Sequence, residues 1–520
     1  MSSNSSTIVQ DIHQEFESLL SYVENAKTEV ADQVERHLFE RLLAMGAQLI
    51  WLFFELRSQG ASRTNATNQA GDEIPYFGER KRDYFSIFGK VPLERPYFYQ
   101  SGMGGMAPLD GELSLGSDSY SDLLRELAEY LGVDVTYEKV IDLFGHILGQ
   151  SLTKNAVQGM IAEDAQDVVA YYEQKPPPPP EEESPILVVQ ADGKGVPMIR
   201  ETPAPAKVRL GKGEKRTKKK ESIVTAIYTI DPNLRTPEEV VASIFHKDEQ
   251  SKDQKTASER VRPQHKHVWA TLAGKDTALQ RLAGQVALRE GAHIVHRVAL
   301  TDGAEALQIR VEHYCPDFTL ILDFIHANEY LWDVGNSLFS EKDPKRMAWV
   351  EARTLKILSG HTDEVIAEFR TLSQKPKTSK GQREQLKKTI TYFERNLPYM
   401  NYNDYLTKGW PIASGVIEGA CRHVVKDRCE LSGMRWSRAG AENLLRLRVI
   451  AINGDWNDYH QFRKRQRHQR LYHLPFPQQP LSEDVALDSH STKSGKVIRV
   501  DFASRQRSTR HSAVPSRMAA

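Results

Sequence analysis

The sequence predicts an α/β protein built on a mixed sheet that is flanked by helices. Three observations support this class. Short runs of aliphatic and β-branched residues, such as ILVV at 186–189, predict buried strands. From residue 185 onward these runs alternate with longer segments of helical periodicity. The stretch KPPPPPEEE at 175–183 suits neither a helix nor a central strand, so it predicts a boundary ahead of the sheet.

The segment before this boundary is predicted to be mainly helical. Apolar residues recur at helical spacing within 8–58, and a short hairpin is predicted around Gly89 and Lys90. Residues 145–174 have the pattern of a helix, a glycine turn, a Ser/Thr cap and a second helix, which DNA-binding and structural hairpins share. We therefore assign 1–174 to an N-terminal domain for DNA binding or oligomerisation, and both roles stay open.

Strands and helices are predicted in alternation after the boundary. The predicted strands are 186–192, 221–230, 265–273, 293–303 and 318–324, and the predicted helices are 275–292, 304–314, 341–408 and 412–431. The resulting scheme is a linker at 175–184, the first part of the sheet domain at 185–334, an all-helical insertion at 335–410, completion of the sheet domain at 411–475, and a tail at 476–520 that is predicted to be disordered.

Composition limits the class of protein. Lys plus Arg and Asp plus Glu are 69 each, so net charge alone does not indicate a nucleic-acid partner. The three cysteines form no CxxC pair, which argues against a disulfide framework and a zinc ribbon. The polar N-terminus predicts no secretory signal, and LIWLFFEL at 49–56 is too short to span a bilayer. A soluble, cytoplasmic protein without a membrane partner is expected.

Three acids from distant segments are the candidate chemistry. Asp192 ends the first predicted strand, Asp302 ends another in VALTDG, and Glu418 lies on a predicted helix in ASGVIEGACR. Each alone is ordinary, because Asp-Gly is commonly a turn and a helical Glu is commonly solvated. Convergence at one sheet edge would instead favour Mg²⁺ or Mn²⁺, and two such ions about 4 Å apart can drive phosphodiester displacement. The glycines after Asp192 are expected to keep the strand tip uncrowded, with Lys194 meeting a phosphate.

Six segments in order resemble one known family. ADGKGV, TDGAEAL, LDFIHANEYLW, PIASGVIEGACRHVVKDR, SGMRW and NGDWNDY, which together cover most of 185–460, are similar to the ISKra-type insertion-sequence transposases. These are related to the Mutator-like DDE transposases, whose core is RNase H-like.

The resemblance implies an RNase H-like mixed sheet and a catalytic, metal-binding set of Asp192, Asp302 and Glu418. Two Mg²⁺ (or Mn²⁺) ions are implied as cofactors. The implied activity is cleavage of insertion-sequence ends and transfer of the 3′-OH strands into target DNA. The implied partners are double-stranded DNA, namely terminal inverted repeats and target, and further copies of the chain in a homodimer or higher oligomer. A bacterial, nucleoid-associated protein is expected.

The second acid of this set is ambiguous. Related enzymes carry a Cys/Asp-x-x-His signature after their second acid, and it corresponds here to Asp323 and His326. Asp323 also ends a predicted strand, so it is an alternative to Asp302 as metal ligand. His326 is a candidate for orienting a phosphate or for supporting the metal ligands, or is a structural histidine.

Basic segments are the candidate DNA contacts. The stretch KVRLGKGEKRTKKK at 207–220 holds eight Lys/Arg and suits contact with phosphates, although a solvated loop would look the same. RKRQRHQR at 463–470 is a second candidate, Arg428 could face the scissile phosphate, and Trp436 could stack on an unpaired base or pack in the core. The proposed DNA-binding residues are Lys194, Arg216, Lys218, Lys219, Lys220, Arg422, Lys426, Arg435 and Trp436.

Three other functions are alternatives to transposition. A catalytically inactive DNA-binding protein derived from a transposase would keep the same scaffold, and an unrelated metal-dependent nuclease would share the chemistry. A nucleotide-binding ATPase is disfavoured, because no stretch satisfies G-x-x-x-x-G-K-[ST].

Overall fold

The computed structural model describes residues 3–68, 70–199, 219–246 and 261–477. Arg216 and Lys218 of the predicted basic arm, and the predicted disordered tail from residue 478 onward, lie outside the described residues.

Two long helices begin the chain, Ser3–Asn25 and Ala31–Gly60. They pack against each other and are joined by an ion pair between Arg41 Nε and Glu15 Oε1 at 2.6 Å. The prediction of one helical run over 8–58 is therefore wrong at residues 26–30, where Val30 has an extended backbone (φ −82°, ψ 151°). That break lets the second helix fold back on the first.

A small β-structure follows the helical pair. Strands β1 (Ala66–Thr67) and β2 (Glu73–Ile74) pair with each other, and β3 (Tyr76–Ser86), β4 (Gly89–Gln100) and β5 (Gly104–Met106) form an antiparallel sheet. The predicted hairpin is confirmed, but its turn lies at residues 87–88, just before the predicted position at Gly89 and Lys90. Lys90 is already paired with Phe85, and Gly89, at φ 121°, pairs with Ser86.

Short helices with regular caps fill residues 108–174. Thr136 and Thr153 cap two of them through their side chains, and Gly149 between these two is left-handed at φ 63°. The predicted pattern of helix, glycine turn, Thr cap and helix is confirmed as local structure. The helices are Pro108–Glu112, Asp122–Gly132, Tyr137–Leu148, Lys154–Asp164 and Val168–Gln174.

The proline spacer lies between the last of these helices and the main sheet. It contains only one turn of 3₁₀-helix, Pro180–Glu182. Lys175 at its start forms an ion pair with Asp455. By their internal contacts, the described residues up to Phe476 form one unit, which contains the segments on both sides of the spacer.

The main sheet is mixed, which confirms the α/β class. Its strands, β6 (Ile186–Pro197), β7 (Lys219–Ile230), β8 (Gln264–Thr271), β9 (His296–Thr301) and β10 (Thr319–Leu322), lie in the order β10-β9-β6-β7-β8. Strands β6, β9 and β10 are parallel, whereas β7 is antiparallel to both β6 and β8. The strand β6 runs on to Pro197, so the prediction that it ends at Asp192 is wrong; its pairing with β9 ends at Gln190.

Each face of this sheet buries a different set of helices, because side chains alternate along a strand. Leu187, Val189 and Ala299 pack with helices Lys275–Arg289 and Glu305–Tyr314. Ile186, Val188 and Leu300 face the opposite way, toward the predicted insertion, which is helical as expected. The helices on or near that second face are Pro237–Phe245, Phe324–Leu338, Lys345–Leu358, Thr362–Gln374, Lys380–Asn396 and Tyr402–Thr407.

The last part of the chain returns to the sheet as a broken helix. The single helix predicted at 412–431 consists of Gly415–Ala420, a π-helical turn Cys421–Lys426 and the short turn Asp427–Cys429. Helices Arg438–Asn453 and Trp456–Tyr472 follow. Within the described part of the chain, no helix combines the length and the apolar character needed to cross a membrane.

Candidate functional site

Three aspartates lie in a row at one edge of the main sheet. Gln190 of β6 pairs with Leu300 of β9, so two residues further along both strands Asp192 lies beside Asp302. Thr301 of β9 pairs with Leu322 of β10, so one residue further along both strands Asp302 lies beside Asp323. All three share the sheet face of Ile186 and Val188, because they follow at even spacing along their strands. Parallel strands thus deliver their acids to one edge and one face.

Asp192 is half-buried in β6 and faces other polar groups. Its Oδ1 accepts a hydrogen bond from the Gly193 amide at 2.6 Å, and its Oδ2 accepts one from the Cys421 thiol at 3.3 Å. Burial raises the pKa of Asp192, the hydrogen bonds partly offset this, and repulsion from Asp302 raises it further. His326 acts in the opposite direction to Asp302 and lowers the pKa of Asp192.

Gly193 and Gly195 have a different role from the one expected. A Cβ at Gly193 would meet the Glu221 side chain at 2.4 Å, and one at Gly195 would meet Lys219 at 2.9 Å. The two glycines therefore make room for side chains of the neighbouring strand β7, and not for the strand tip itself.

Asp302 begins a tight turn after β9. Its Oδ1 accepts a hydrogen bond from the Ala304 amide at 2.9 Å. Gly303 has a left-handed backbone (φ 85°), and a Cβ there would lie 2.7 Å from the Tyr392 hydroxyl oxygen. That hydroxyl donates to the Asp302 carbonyl at 2.9 Å, so an insertion helix fixes the Asp-Gly step. Residue 303 must therefore be glycine, both for its backbone conformation and for the space that Tyr392 occupies.

Asp323 is fully buried and rich in hydrogen bonds. Its Oδ1 accepts from the Ile325 amide at 2.8 Å, which caps helix Phe324–Leu338. Its Oδ2 contacts His326 Nδ1 at 3.0 Å and accepts a short hydrogen bond from the Ser414 hydroxyl. Hydrogen bonding to Asp323 raises the pKa of His326 to about 9, although burial opposes this. In the metal-free protein His326 is therefore a cation among the acids.

Glu418 reaches the same place from helix Gly415–Ala420. Its Oε1 accepts from Ser414 Oγ at 3.3 Å, so Ser414 links Glu418 to Asp323. The helix is held on the sheet by Gln190, whose Oε1 accepts from the Ile417 amide at 2.9 Å. Gln190 is one pleat before Asp192 on the same face, so β6 positions both acids.

The acids of the site differ in their exposure to solvent. Exposure rises from the buried Asp323 through the half-buried Asp192 and Asp302 to the exposed Glu418. One ligand atom each of Asp323, His326 and Glu418 lie within 4.8 Å of one another, which suits a metal ion. A cluster of oxygen ligands at a solvent-facing edge suits hard divalent cations. The arrangement can bind such ions and present them to a substrate from solution.

Most of the predicted DNA-binding cations that the structure describes are at least partly exposed. Lys194 and Lys220 are half-buried on β6 and β7, and Lys219 is exposed but forms an ion pair with Glu430. Arg422, Lys426 and Arg435 are exposed, and Arg422 Nε lies 3.5 Å from Asp427 Oδ1.

Other predicted DNA contacts are core residues instead. Trp436 is 8% exposed and its Nε1 donates to the Cys429 carbonyl at 3.1 Å, so its ring is not available to stack on a base. Arg428 is fully buried between Tyr137 and Trp436 and donates to the Gly132 carbonyl at 2.9 Å. The predicted clamp at 463–470 fails for Arg463 and Arg467, which are buried against carboxylates.

Sequence reasoning missed the residues that connect the acids. Gln190, Ser414, Cys421 and Tyr392 each contact an acid of the site or its helix. The available signal was Gln190, a polar residue inside the otherwise apolar strand VVQAD. The other three look like ordinary helix residues, because the aspartates that they contact lie 90 or more positions away along the chain.

No family model matches the chain, and a search of curated proteins finds no similar one.

Proposed function

We propose that the protein is a metal-dependent enzyme that breaks and joins phosphodiester bonds in DNA. The observation that carries this proposal is the convergence of carboxylates from β6, β9 and the helix Gly415–Ala420 at one open edge of the sheet. Closely spaced carboxylates without paired cations repel one another, and bound divalent ions remove that cost.

Within that class, we propose an insertion-sequence DDE transposase of the ISKra type with an RNase H-like core. Support comes from the strand order, in which three successive antiparallel strands are followed by two parallel ones on the far side of the first. Further support comes from the helical segment between Asp323 and Glu418 and from the six sequence motifs in family order. The product of the reaction would be insertion-sequence strands joined to target DNA.

Asp192, Asp302 and Glu418 would hold two Mg²⁺ (or Mn²⁺) ions. When bound, such ions supply Lewis-acid stabilisation of the phosphodiester and its leaving oxygen. Asp302 is proposed ahead of Asp323 because Asp323 already accepts three hydrogen bonds, from Ile325, His326 and Ser414. Asp323 stays the alternative, since its ligand atom lies within 4.8 Å of those of His326 and Glu418. Asp323 would instead keep His326 and Ser414 in place, and His326 would orient a phosphate.

The substrate would approach from the exposed side of Glu418. Lys194, Lys220, Arg422, Lys426 and Arg435 are positioned on the described surface to neutralise phosphates. We propose double-stranded DNA, both the terminal inverted repeats and the target, as partner. A homodimer or higher oligomer on DNA remains part of the proposal.

The test is Mg²⁺-dependent cleavage of the DNA that flanks the coding region, where the proposal expects inverted repeats. Asp192→Asn should bind this DNA as the unchanged protein does but lose cleavage. Asp317→Asn is the matched control, because Asp317 is an exposed aspartate two residues before β10, at the opposite edge of the sheet. It should cleave normally.

Two results would contradict the proposal. Cleavage that survives Asp192→Asn would place the chemistry elsewhere. DNA binding without cleavage by the unchanged protein, in Mg²⁺ and in Mn²⁺, would favour the alternative of an inactive DNA-binding protein derived from a transposase.

A further inference from the structure

A second cluster of metal-binding side chains lies in the helical part of the molecule. Glu129 of helix Asp122–Gly132, Asp164 of helix Lys154–Asp164 and His460 of helix Trp456–Tyr472 each offer a ligand atom within 4.8 Å of the others. All three side chains are at most 1% exposed. The cluster therefore joins the region before the proline spacer to the last helix of the described chain.

Five buried atoms of this cluster have no hydrogen-bond partner in the described structure. They are both carboxylate oxygens of Glu129, Oδ2 of Asp164 and both ring nitrogens of His460. His460 Nε2 lies 3.8 Å from Glu129 Oε2. Buried polar atoms normally have partners, and leaving one unpaired costs about 1–3 kcal/mol. Five in one place indicate a missing ligand.

The surrounding arginines leave this gap unfilled. Arg125 Nη1 and Arg463 Nη1 both bind Oδ1 of Asp164, at 3.2 and 3.0 Å, which leaves Oδ2 directed elsewhere. The bonded network comprises four carboxylates and three arginines, namely Asp118, Asp122, Glu163, Asp164, Arg125, Arg463 and Arg467. Glu129 lies outside this network and has no hydrogen-bonded arginine. Positive charge is therefore lacking at Glu129, and a bound divalent cation would supply it.

We propose that Glu129, Asp164 and His460 hold one Zn²⁺ ion that fastens the three helices together. One imidazole and two carboxylates form a mixed nitrogen and oxygen set, which suits Zn²⁺ better than Mg²⁺. Tetrahedral ligands of Zn²⁺ lie roughly 3.4 Å apart, so the ligand atoms, now within 4.8 Å of one another, would have to draw closer on binding. The arginines on Oδ1 of Asp164 would orient that ligand. The ion is distinct from those of the proposed catalytic site, whose ligands are other residues.

A proton shared between the two carboxylates is the alternative to a metal ion at this site. Burial raises the pKa of Glu129 well above its usual range, so a protonated Glu129 sharing its hydrogen with Asp164 would also reduce the charge. That arrangement leaves both nitrogens of His460 unpaired, whereas a metal uses one of them. Metal analysis separates the two.

The experiment measures zinc in full-length protein purified from zinc-supplemented cells, with Asp192→Asn and Glu418→Gln introduced to remove the other candidate metal ligands. We expect about one Zn²⁺ per chain and less than about 0.1 after adding His460→Gln. His468→Gln is the matched control, since His468 is equally buried on the same helix but bonds Ser114 Oγ. It should keep its zinc.

A second measurement covers the case in which His460→Gln does not fold. Removing zinc from the protein with a chelator should lower its melting temperature by several degrees, and Zn²⁺ but not Mg²⁺ should restore it. Protein without bound zinc, whose melting temperature responds to neither chelator nor Zn²⁺, would overturn the proposal. This test does not depend on DNA cleavage, so it stands if the proposed enzyme activity fails.

Discussion

Two groups of acids in this molecule differ in how their charge is balanced. At the sheet edge, Asp192, Asp302 and Glu418 are open to solvent to increasing degrees, and their partners are amides, a thiol and a hydroxyl. In the helical region, Asp164 is buried and bonds two arginines. The first group lies where a substrate can enter, and the second lies in the interior, where arginines bonded to Asp164 hold helices together.

The difference shows that a cluster of carboxylates does not by itself indicate one function. Solvent access and the number of permanent cations decide whether its charge is used for binding or for structure. Neutralising one acid at the sheet edge should therefore remove activity and spare stability. Removing one cation from the helical region should do the reverse.

The largest effect is expected for Asp302→Asn. Cleavage should fall at least about 1,000-fold, equivalent to about 4 kcal/mol, while the metal-free protein becomes no less stable because a repulsion of Asp192 is removed. Asp323→Asn should lose only about tenfold, since its amide oxygen still accepts from the Ile325 amide and its NH2 group can donate to the Ser414 hydroxyl oxygen. Rates and melting curves of both variants check this. If Asp323→Asn is the more damaging to cleavage, Asp323 is the second metal ligand.

Arg125→Met tests the opposite behaviour. Removing a fully buried guanidinium leaves Asp164 short of one cation and should lower the free energy of unfolding by about 3–5 kcal/mol. Arg36→Met is the control, because Arg36 pairs with Asp32 on the exposed surface of a helix and should change stability by less than about 0.5 kcal/mol. Denaturant unfolding of both variants gives the comparison. Equal effects would mean that burial of Arg125 does not matter.

The class of fold and most of the candidate acids could be predicted from the sequence, because the signals for them lie within short stretches of the chain. Asp192 and Asp302 follow apolar runs, and strand and helix periods are visible in short windows. The sequence was insufficient where a partner is distant. Arg463 looks like a solvated cation in RKRQRHQR, but Asp164, nearly 300 residues earlier, draws it into the interior. Trp436 and Asp323 are similar cases, because burial is a property of the assembled fold.

Gln190→Leu should show how the sheet positions Glu418. It leaves the Ile417 amide without its acceptor, which should cost about 1–3 kcal/mol and reduce cleavage as the helix carrying Glu418 loses its anchor. Tyr228→Phe is the matched control: it removes the hydroxyl that Gln190 Nε2 contacts at 3.0 Å but keeps the bond to Ile417. Cleavage by Tyr228→Phe should stay close to normal. Equal loss in both variants would mean that the bond to Ile417 is not what matters.

The smallest effect concerns His326 in the metal-free protein. Its pKa in the fold is about 9 against an ordinary value of 6.5, so it favours the folded state fully below pH 6.5, and that contribution is lost as the pH rises through 9. NMR titration of the imidazole should give this value, and Asp323→Asn should return it toward 6.5 because the hydrogen bond to Asp323 is the main cause of the shift. Added Mg²⁺ should lower it as well, since a bound cation disfavours the imidazolium. An unshifted pKa in the metal-free protein would show that His326 does not supply the positive charge at the sheet edge.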